Sequence, residues 1–437
     1  MIGEAKARQL VGRVLARAPK GGDATVSVSS ERRGNTRFAR SEITSSADVD
    51  RQTLAVTVQF GKRSATATTN AFDDAALEDV VARAARMAKL APESPEAMPA
   101  LGKQSYVKAK ASDAATAKLT PAARAKAAGA AIAAGDAAKL VIAGYYQHAI
   151  TQLARASSAG LWAWHEATSA SFSCTARTAD ASGSGWAETS SNRAADINAE
   201  ALAKIAVDKA TRSAKPKRLE PGRYTVILEP AAVVDLLGFL INALGARRAD
   251  EGRSYFAKPG GGTRVGDKLF PDLVTLISDP TDAATEGAPF DGEGLPLAKT
   301  TWIDKGVLKG LTYGRYWAHK QSKKPTGTPN GWTLAGGKQT REDLIKGVTR
   351  GVLITRCWYL RDLDPQTILV TGLTRDGVFL IEKGQLAGPV NNFRFNESPI
   401  HMLAKCDAVA GQWISDSVRA PTLRTHEFNL ASISEAV

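Results

Sequence analysis

The sequence predicts an α+β protein in two domains. The first, residues 1–215, mixes helices with antiparallel sheet. The second, residues 216–437, is β-rich and barrel-like, with one buried helix. Three observations predict this. Strand-like runs in the first half come in hairpin-connected pairs between amphipathic helices, the pattern of segregated α+β rather than βαβ units. The second half carries many short strand-like runs separated by Gly, Pro and Asp turns. Between them, Ser213–Pro221 (SAKPKRLEP) is basic, holds two prolines and follows a helical segment, as a linker does.

Residues 2–17 place Ile2, Leu10, Val11, Val14 and Leu15 at helical spacing. Ala24–Ser30 and Thr36–Thr44 alternate like paired strands, and Leu54–Phe60 with Arg63–Thr69 reads as a hairpin around Gly61. Asp73 and Asp74 open a helix to Leu90 whose stripe is Leu77, Val80, Val81, Ala84 and Met87. Ala91–Lys103, rich in Pro and small residues, is a loop. Thr120–Ala138 is alanine-rich, with Pro121 in the first turn, and predicts a helix. Val141–Ala149, Ala159–Ala167, Ala170–Arg177 and Gly185–Thr189 read as strands, and Arg193–Ala210 as a helix.

After the linker, Gly222–Leu228 (GRYTVIL) predicts a strand. Ala231–Leu244 is apolar nearly all round, which places it inside a core. The later strands are Val274–Ser278, Ala298–Ile303, Val307–Tyr313, Gly351–Arg356, Thr367–Thr374, Gly377–Lys383 and Gly388–Arg394.

Composition excludes several classes. The cysteines, Cys174, Cys357 and Cys406, are odd in number and far apart, against a disulfide framework or a cysteine-rich zinc site. A reducing cytoplasm is the expected location. Charges interrupt the N-terminal segment, so no signal-peptide core is expected. No run approaches the roughly 20 apolar residues that span a bilayer, so no membrane role is expected. The net charge of +13 is dispersed, with no aromatic interleaving and no nucleic-acid-binding signature, so nucleic acid is not an expected partner.

The most informative stretch is Ala288–Thr328. Asp291 and Glu293 lie there in a D-G-E-G turn. Such turns are ordinarily only turns, because Asp and Gly tolerate positive φ and Asp bonds to nearby backbone. The neighbouring motifs give the stretch more weight. They are G-R-Y-T-V-I-L-E-P-A-A (Gly222–Ala232), S-Y-F (Ser254–Phe256), G-D-K (Gly266–Lys268), P-F-D-G-E-G-L-P (Pro289–Pro296) and W-I-D-K-G-V-L (Trp302–Leu308). P-T-G-T (Pro325–Thr328), R-E-D-L-I (Arg341–Ile345), V-T-G-L-T-R-D-G (Val370–Gly377) and V-N-N-F-R-F-N-E-S (Val390–Ser398) follow. In this order they resemble the TldD/PmbA family, also called modulator of gyrase. The first half adds only N-T-R-F-A-R (Asn35–Arg40).

The resemblance implies two-domain α+β chains that associate as dimers around an enclosed cavity. One branch is a zinc metallopeptidase whose H-E-x-x-x-H helix supplies two histidine ligands and a glutamate base. The other is a partner subunit without that motif, and the pair trims small or unfolded peptides. The helix in question follows the strand equivalent to Gly222–Leu228. Here it reads AAVVDLLGFLINAL, with no histidine and with Asp235 its only ionisable residue. The five histidines are His148, His165, His319, His401 and His426. His165 and His426 each precede a glutamate without completing a zinc motif, and both lie in strand-like sequence, where adjacent side chains diverge. Cys406 and His401, read as one helix, point apart, and Cys406 reads as a buried structural thiol. Gly260–Gly262 lacks the ending of a phosphate loop.

The expected function is therefore a catalytically silent family member. It would hold peptide for a zinc-bearing sister chain, as a homodimer or as a heterodimer with that TldD-like chain. Strand addition at a sheet edge would bind peptide without sequence preference. Asp291, Glu293, Thr326, Thr328 and Arg394 are the candidate peptide-binding residues. No catalytic residue, metal ligand or cofactor is expected. Two alternatives stay open. One is an active metallopeptidase with zinc held by unusual ligands such as His319, His401 or Cys406. The other is a basic, non-enzymatic binding protein, which steep salt dependence of DNA binding would reveal.

Overall fold

Several helices start where the sequence supplies a side-chain cap. In a computed structural model describing residues 1–285 and 287–435, α1 spans Glu4–Leu15, and α2, Asp74–Leu90, is capped by the Asp73 carboxylate accepting from the Ala76 amide. A short α3, Ala114–Ala117, precedes α4, Pro121–Ala137, where the Thr120 hydroxyl caps and Pro121 takes the first position. Asn198 caps α5, Ala199–Arg212. The predicted helix from Arg193 is thus broken: a 3₁₀ turn, Ala194–Asp196, comes first, because Asn198 bonds the start of the next helix instead of continuing one.

Six antiparallel strands form the first sheet: β1 Asp23–Ala39, β2 Glu42–Phe60, β3 Arg63–Thr69, β4 Val141–Ser157, β5 Trp162–Arg177 and β6 Ser184–Ser191, in the order 3-2-1-4-5-6. The strands are longer than the sequence suggests. Thr36–Thr44, expected as one strand, straddles the β1–β2 hairpin, because Arg40 and Ser41 turn the chain at φ 53° and 59° without a glycine. Residues 42–51 are exposed throughout, so no burial alternation marks them in the sequence. The two runs at Ala159–Ala167 and Ala170–Arg177 are one strand, β5. Helices α1 and α2 cover one end of this sheet around Leu10, Val56 and Leu77, and α4 and α5 cover the other around Phe172 and Leu202.

The second half holds β7 Gly222–Leu228, β8 Leu276–Ser278, β9 Thr300–Asp304, β10 Val307–Leu308, β11 Trp332–Leu334, β12 Arg350–Asp364, β13 Leu369–Glu382, β14 Gln385–Pro389, β15 Asn392–Glu397, β16 Cys406–Ser415 and β17 Val418–Ser434. Most pairings are antiparallel, but β7 runs parallel to β12 and β11 parallel to β17. Because β17 pairs with both β15 and β7, the pairings run from β7 through β12, β13, β15 and β17 back to β7. Against their side packs α6, Pro230–Ala243, with Leu236, Leu237 and Leu240 fully buried among Phe256, Ile354 and Phe428. His401 and Cys406 do not share a helix as expected: His401 lies on the helix Pro399–Ala404, and Cys406 begins β16. No helix among the described residues is long and apolar enough to cross a membrane.

Candidate functional site

The site is built around the start of α6. Glu229 is its N-cap residue and Pro230 its first residue. Glu229 is 8% exposed, and it accepts one hydrogen bond from Lys209 Nζ and one from Arg341 Nη1, each at 2.6 Å. Burial pushes its carboxyl up, but the two cations outweigh burial and hold it below the usual carboxylate range. Lys209 also donates to the Trp186 carbonyl at 3.2 Å. This cluster sits on the wall of a cavity of about 510 Å³ between the two halves of the chain. Trp186 and Glu188 of β6 line one side, and Gln412 and Trp413 of β16 the other. β6 is the outermost strand of its sheet, and β16 pairs in its own sheet with β17. The Trp413 indole donates to the Glu188 carbonyl at 3.1 Å, and the Ser415 hydroxyl to the Glu188 carboxylate.

Further along α6, Asp235 accepts from the Cys357 amide at 3.2 Å. Burial pushes its carboxyl up to about 7, against the pull of the nearby Arg356 guanidinium. Zinc does not fit this helix. Its donor set is a single carboxyl, flanked by Leu, Val and Phe, and zinc requires several convergent deprotonated ligands.

The histidines are spread over the molecule, and four of them have separate surroundings. His148 Nδ1 lies 3.3 Å from the buried Arg124, and His165 meets the Phe290 ring edge-on at 6.4 Å. His401 Nδ1 lies 3.3 Å from Glu397, and His426 bridges Thr225 (3.0 Å) and Asp407 (2.8 Å). Among the described residues, no three His, Cys, Asp or Glu side chains converge as a metal-holding group. Burial pushes the Cys406 thiol up to about 12, so it is no thiolate nucleophile at neutral pH.

The Asp291–Glu293 turn lies elsewhere, where the second half docks on the first. Asp291 is 8% exposed and acts as a staple. Its Oδ1 accepts from the amides of Glu293 and Leu295, both at 2.9 Å, and its Oδ2 from Thr328 at 3.1 Å. Gly327 is needed beside it, because a Cβ there would lie 2.9 Å from Asp291 Oδ2 on a backbone at φ 70°. Glu293 is exposed and pairs with Arg315 at 3.3 Å, and Arg315 also donates to the Pro99 carbonyl. The Tyr106 phenol donates to the Gly294 carbonyl at 2.8 Å, and its ring packs on Phe290 at 5.3 Å. Thr326 closes the Tyr313 loop through its hydroxyl and amide. The structure therefore brings Asp291, Glu293, Thr326 and Thr328 to one junction. Arg394 stands apart, on β15, where it bonds Thr371 at 3.3 Å.

Sequence reasoning missed the Lys209–Glu229–Arg341 cluster and the cavity beside it. A usable signal was present: a carboxylate at the start of an otherwise apolar helix needs cationic partners once that helix is buried.

Comparison with known proteins agrees with this architecture. Residues 221–432 match the PmbA/TldA metallopeptidase C-terminal domain, residues 95–214 the central domain and residues 24–88 domain 1 of the same family. A metalloprotease of Methanothermobacter thermautotrophicus is 26% identical over 235 residues, 49% of this chain and 48% of that one. An uncharacterized protein of Methanocaldococcus jannaschii is 31% identical over 133 residues, 30% of each chain. The similarity thus spans half or less of these curated relatives. In three dimensions, a modulator-of-gyrase crystal structure from Thermotoga maritima superposes with a TM-score of 0.86 at 19% identity, covering 97% of this chain and 99% of that one. TldE from Thermococcus kodakarensis gives 0.84 at 18%, covering 97% and 98%. At such identities the likeness concerns the fold alone. With three consecutive domain matches running from residue 24 to residue 432, the chain belongs to the PmbA/TldD metallopeptidase family.

Proposed function

We propose that this chain is a catalytically silent subunit of the family, which holds an unfolded peptide for cleavage by a zinc-bearing sister chain. The observation that carries the reading is α6, where the only ionisable side chain is Asp235, a single carboxyl that burial pushes up to about 7. The holding surface in this reading is the cavity between β6 and β16. Trp186, Ile205 and Trp413 offer apolar contact there, and the strand edges offer main-chain bonding to any sequence. Asp291, Glu293, Thr326 and Thr328 act at one remove by fixing how the two halves meet. Arg394 lies outside the holding surface. With three separate, buried, free thiols, the chain suits a reducing cytoplasm.

The test measures metal content and cleavage together. The purified chain is expected to carry no stoichiometric zinc and to bind a fluorescent unfolded peptide without cutting it, with or without added zinc. Stoichiometric zinc together with cleavage that a chelator abolishes would overturn the reading in favour of an active peptidase with unusual ligands.

A further inference from the structure

A second cavity, of about 480 Å³, lies where the Asp291–Glu293 turn docks on the first sheet. Asp23 and Arg155 wall it from the sheet, Glu96 from the loop after α2, and Glu293 and Arg315 from the second half. Arg155 lies on β4, opposite Ser27 of β1 and Ala163 of β5. Both neighbours are small and uncharged, so neither balances its guanidinium. The side chain is half-buried and its Nε is shielded from solvent, yet among the described residues it makes no hydrogen bond or ion pair. Burial lowers its pKa, against the opposing pull of Asp291 and Glu293. The nearby acids are already engaged. Asp291 is spent on three backbone amides, Glu293 pairs with Arg315, and Glu96 accepts from Arg247 at 2.8 and 3.0 Å. Asp23 accepts from the Ala100 amide at 3.3 Å. A partly desolvated cation left without a partner costs stability, and nearly all buried polar groups are bonded.

We infer that this cavity is a binding site for the carboxylate of a small ligand, held by the guanidinium of Arg155. The planar fork of an arginine matches a carboxylate through two parallel N–H···O bonds. The charge balance selects a singly charged group. Of the two arginines that line the cavity, Arg315 is already paired, so a dianion such as phosphate would meet Asp23 and Glu293 with one free cation to hold it. Thr25, Thr57 and Gln59 on the same wall offer neutral hydrogen-bonding groups to the rest of the ligand. The volume is that of a small-molecule pocket, enough for a short peptide or another small acid. The carboxylate can therefore be a chain end or an acidic side chain. The site stands apart from the cavity between β6 and β16, and its assignment does not rest on peptide holding there.

Isothermal titration calorimetry of the full chain with three short peptides tests this. The first is N-acetylated trialanine with a free C-terminus, the second the same peptide amidated, and the third an amidated peptide with a central glutamate. At least one of the two carboxylate-bearing peptides is expected to bind at least about tenfold more tightly than the amidated trialanine. Tight binding of the free acid alone identifies a chain end as the source, and of the glutamyl peptide alone a side chain. Arg155→Met is expected to abolish the preference, with circular dichroism unchanged, because the side chain has no partner in the fold to lose. Arg155→Lys keeps the charge without the fork and is expected to retain part of it. A wild type that binds acid and amide alike, a preference that survives Arg155→Met, or inorganic phosphate competing better than acetate would overturn the inference. The readout is the difference between acid and amide. Main-chain bonding at a strand edge does not make that distinction, so this test fails or succeeds separately from peptide holding.

Discussion

Removing the Glu229 carboxylate is the most informative perturbation of the candidate site. Its oxygens accept from Lys209 and Arg341 at 2.6 Å each, and both the Glu229 and the Lys209 side chains are only about a tenth exposed. Glu229→Leu would strand Lys209 with only the Trp186 carbonyl, while Arg341, 37% exposed, would keep its Glu342 partner. Breaking a fully buried pair costs about 3–5 kcal/mol. The exposure of Arg341 argues for discounting its share, which leaves about 3 kcal/mol. The assay is equilibrium urea unfolding, read as a lowered midpoint. Replacing both buried partners, Glu229→Leu with Lys209→Met, is expected to recover part of the loss, since no charge is then stranded. The pH dependence has a definite sign. The folded Glu229 carboxyl lies below its usual range, so its contribution is present above the ordinary glutamate range and fades as acid protonates the folded state. The wild type should therefore lose its advantage over Glu229→Gln on acidification. A cost below about 1 kcal/mol, or a double variant no better than the single, would refute the electrostatic reasoning.

Asp235 should behave in the opposite way. Its folded carboxyl titrates near 7, so between about pH 4 and pH 7 the unfolded chain gives up a proton that the folded chain keeps, and stability falls as pH rises. Asp235→Asn should gain on the wild type across that window, as pH-dependent urea midpoints would show, and a constant difference would count against the assignment. Asp291→Ala removes the acceptor of three backbone amides and should cost about 2–4 kcal/mol, with faster hydrogen exchange at Leu295 and Thr328. Trp413→Ala should weaken unfolded-peptide binding by about tenfold if the cavity is the holding surface, measured by fluorescence anisotropy.

Much of the fold was legible because its signals are local. Asp73, Thr120 and Pro121 mark helix starts by bonding or conformation within one turn, and the structure uses each as its type suggests. The apolar run of α6 could only lie in a core. The exposed half of β2 was not legible, because a strand exposed on both faces has no alternation to read. The two-residue β1–β2 turn also escaped, because Arg40 and Ser41 adopt a conformation that sequence reserves for glycine or asparagine.

The candidate site divides along the same line. The family resemblance, the buried helix without histidines and the carboxylates of the 291–293 turn could all be read from the residues alone. It could not say what those carboxylates do, because their partners are distant along the chain. Asp291 closes its own turn and reaches Thr328, whereas Glu293 is held by Arg315. Lys209, Glu229 and Arg341 come from three separate segments and become one cluster only when α5 and the helix Arg341–Lys346 pack beside the start of α6. These meetings arise from packing in three dimensions. Local periodicity specifies which face of an element is buried, but which charge it meets there depends on packing between segments far apart in the chain.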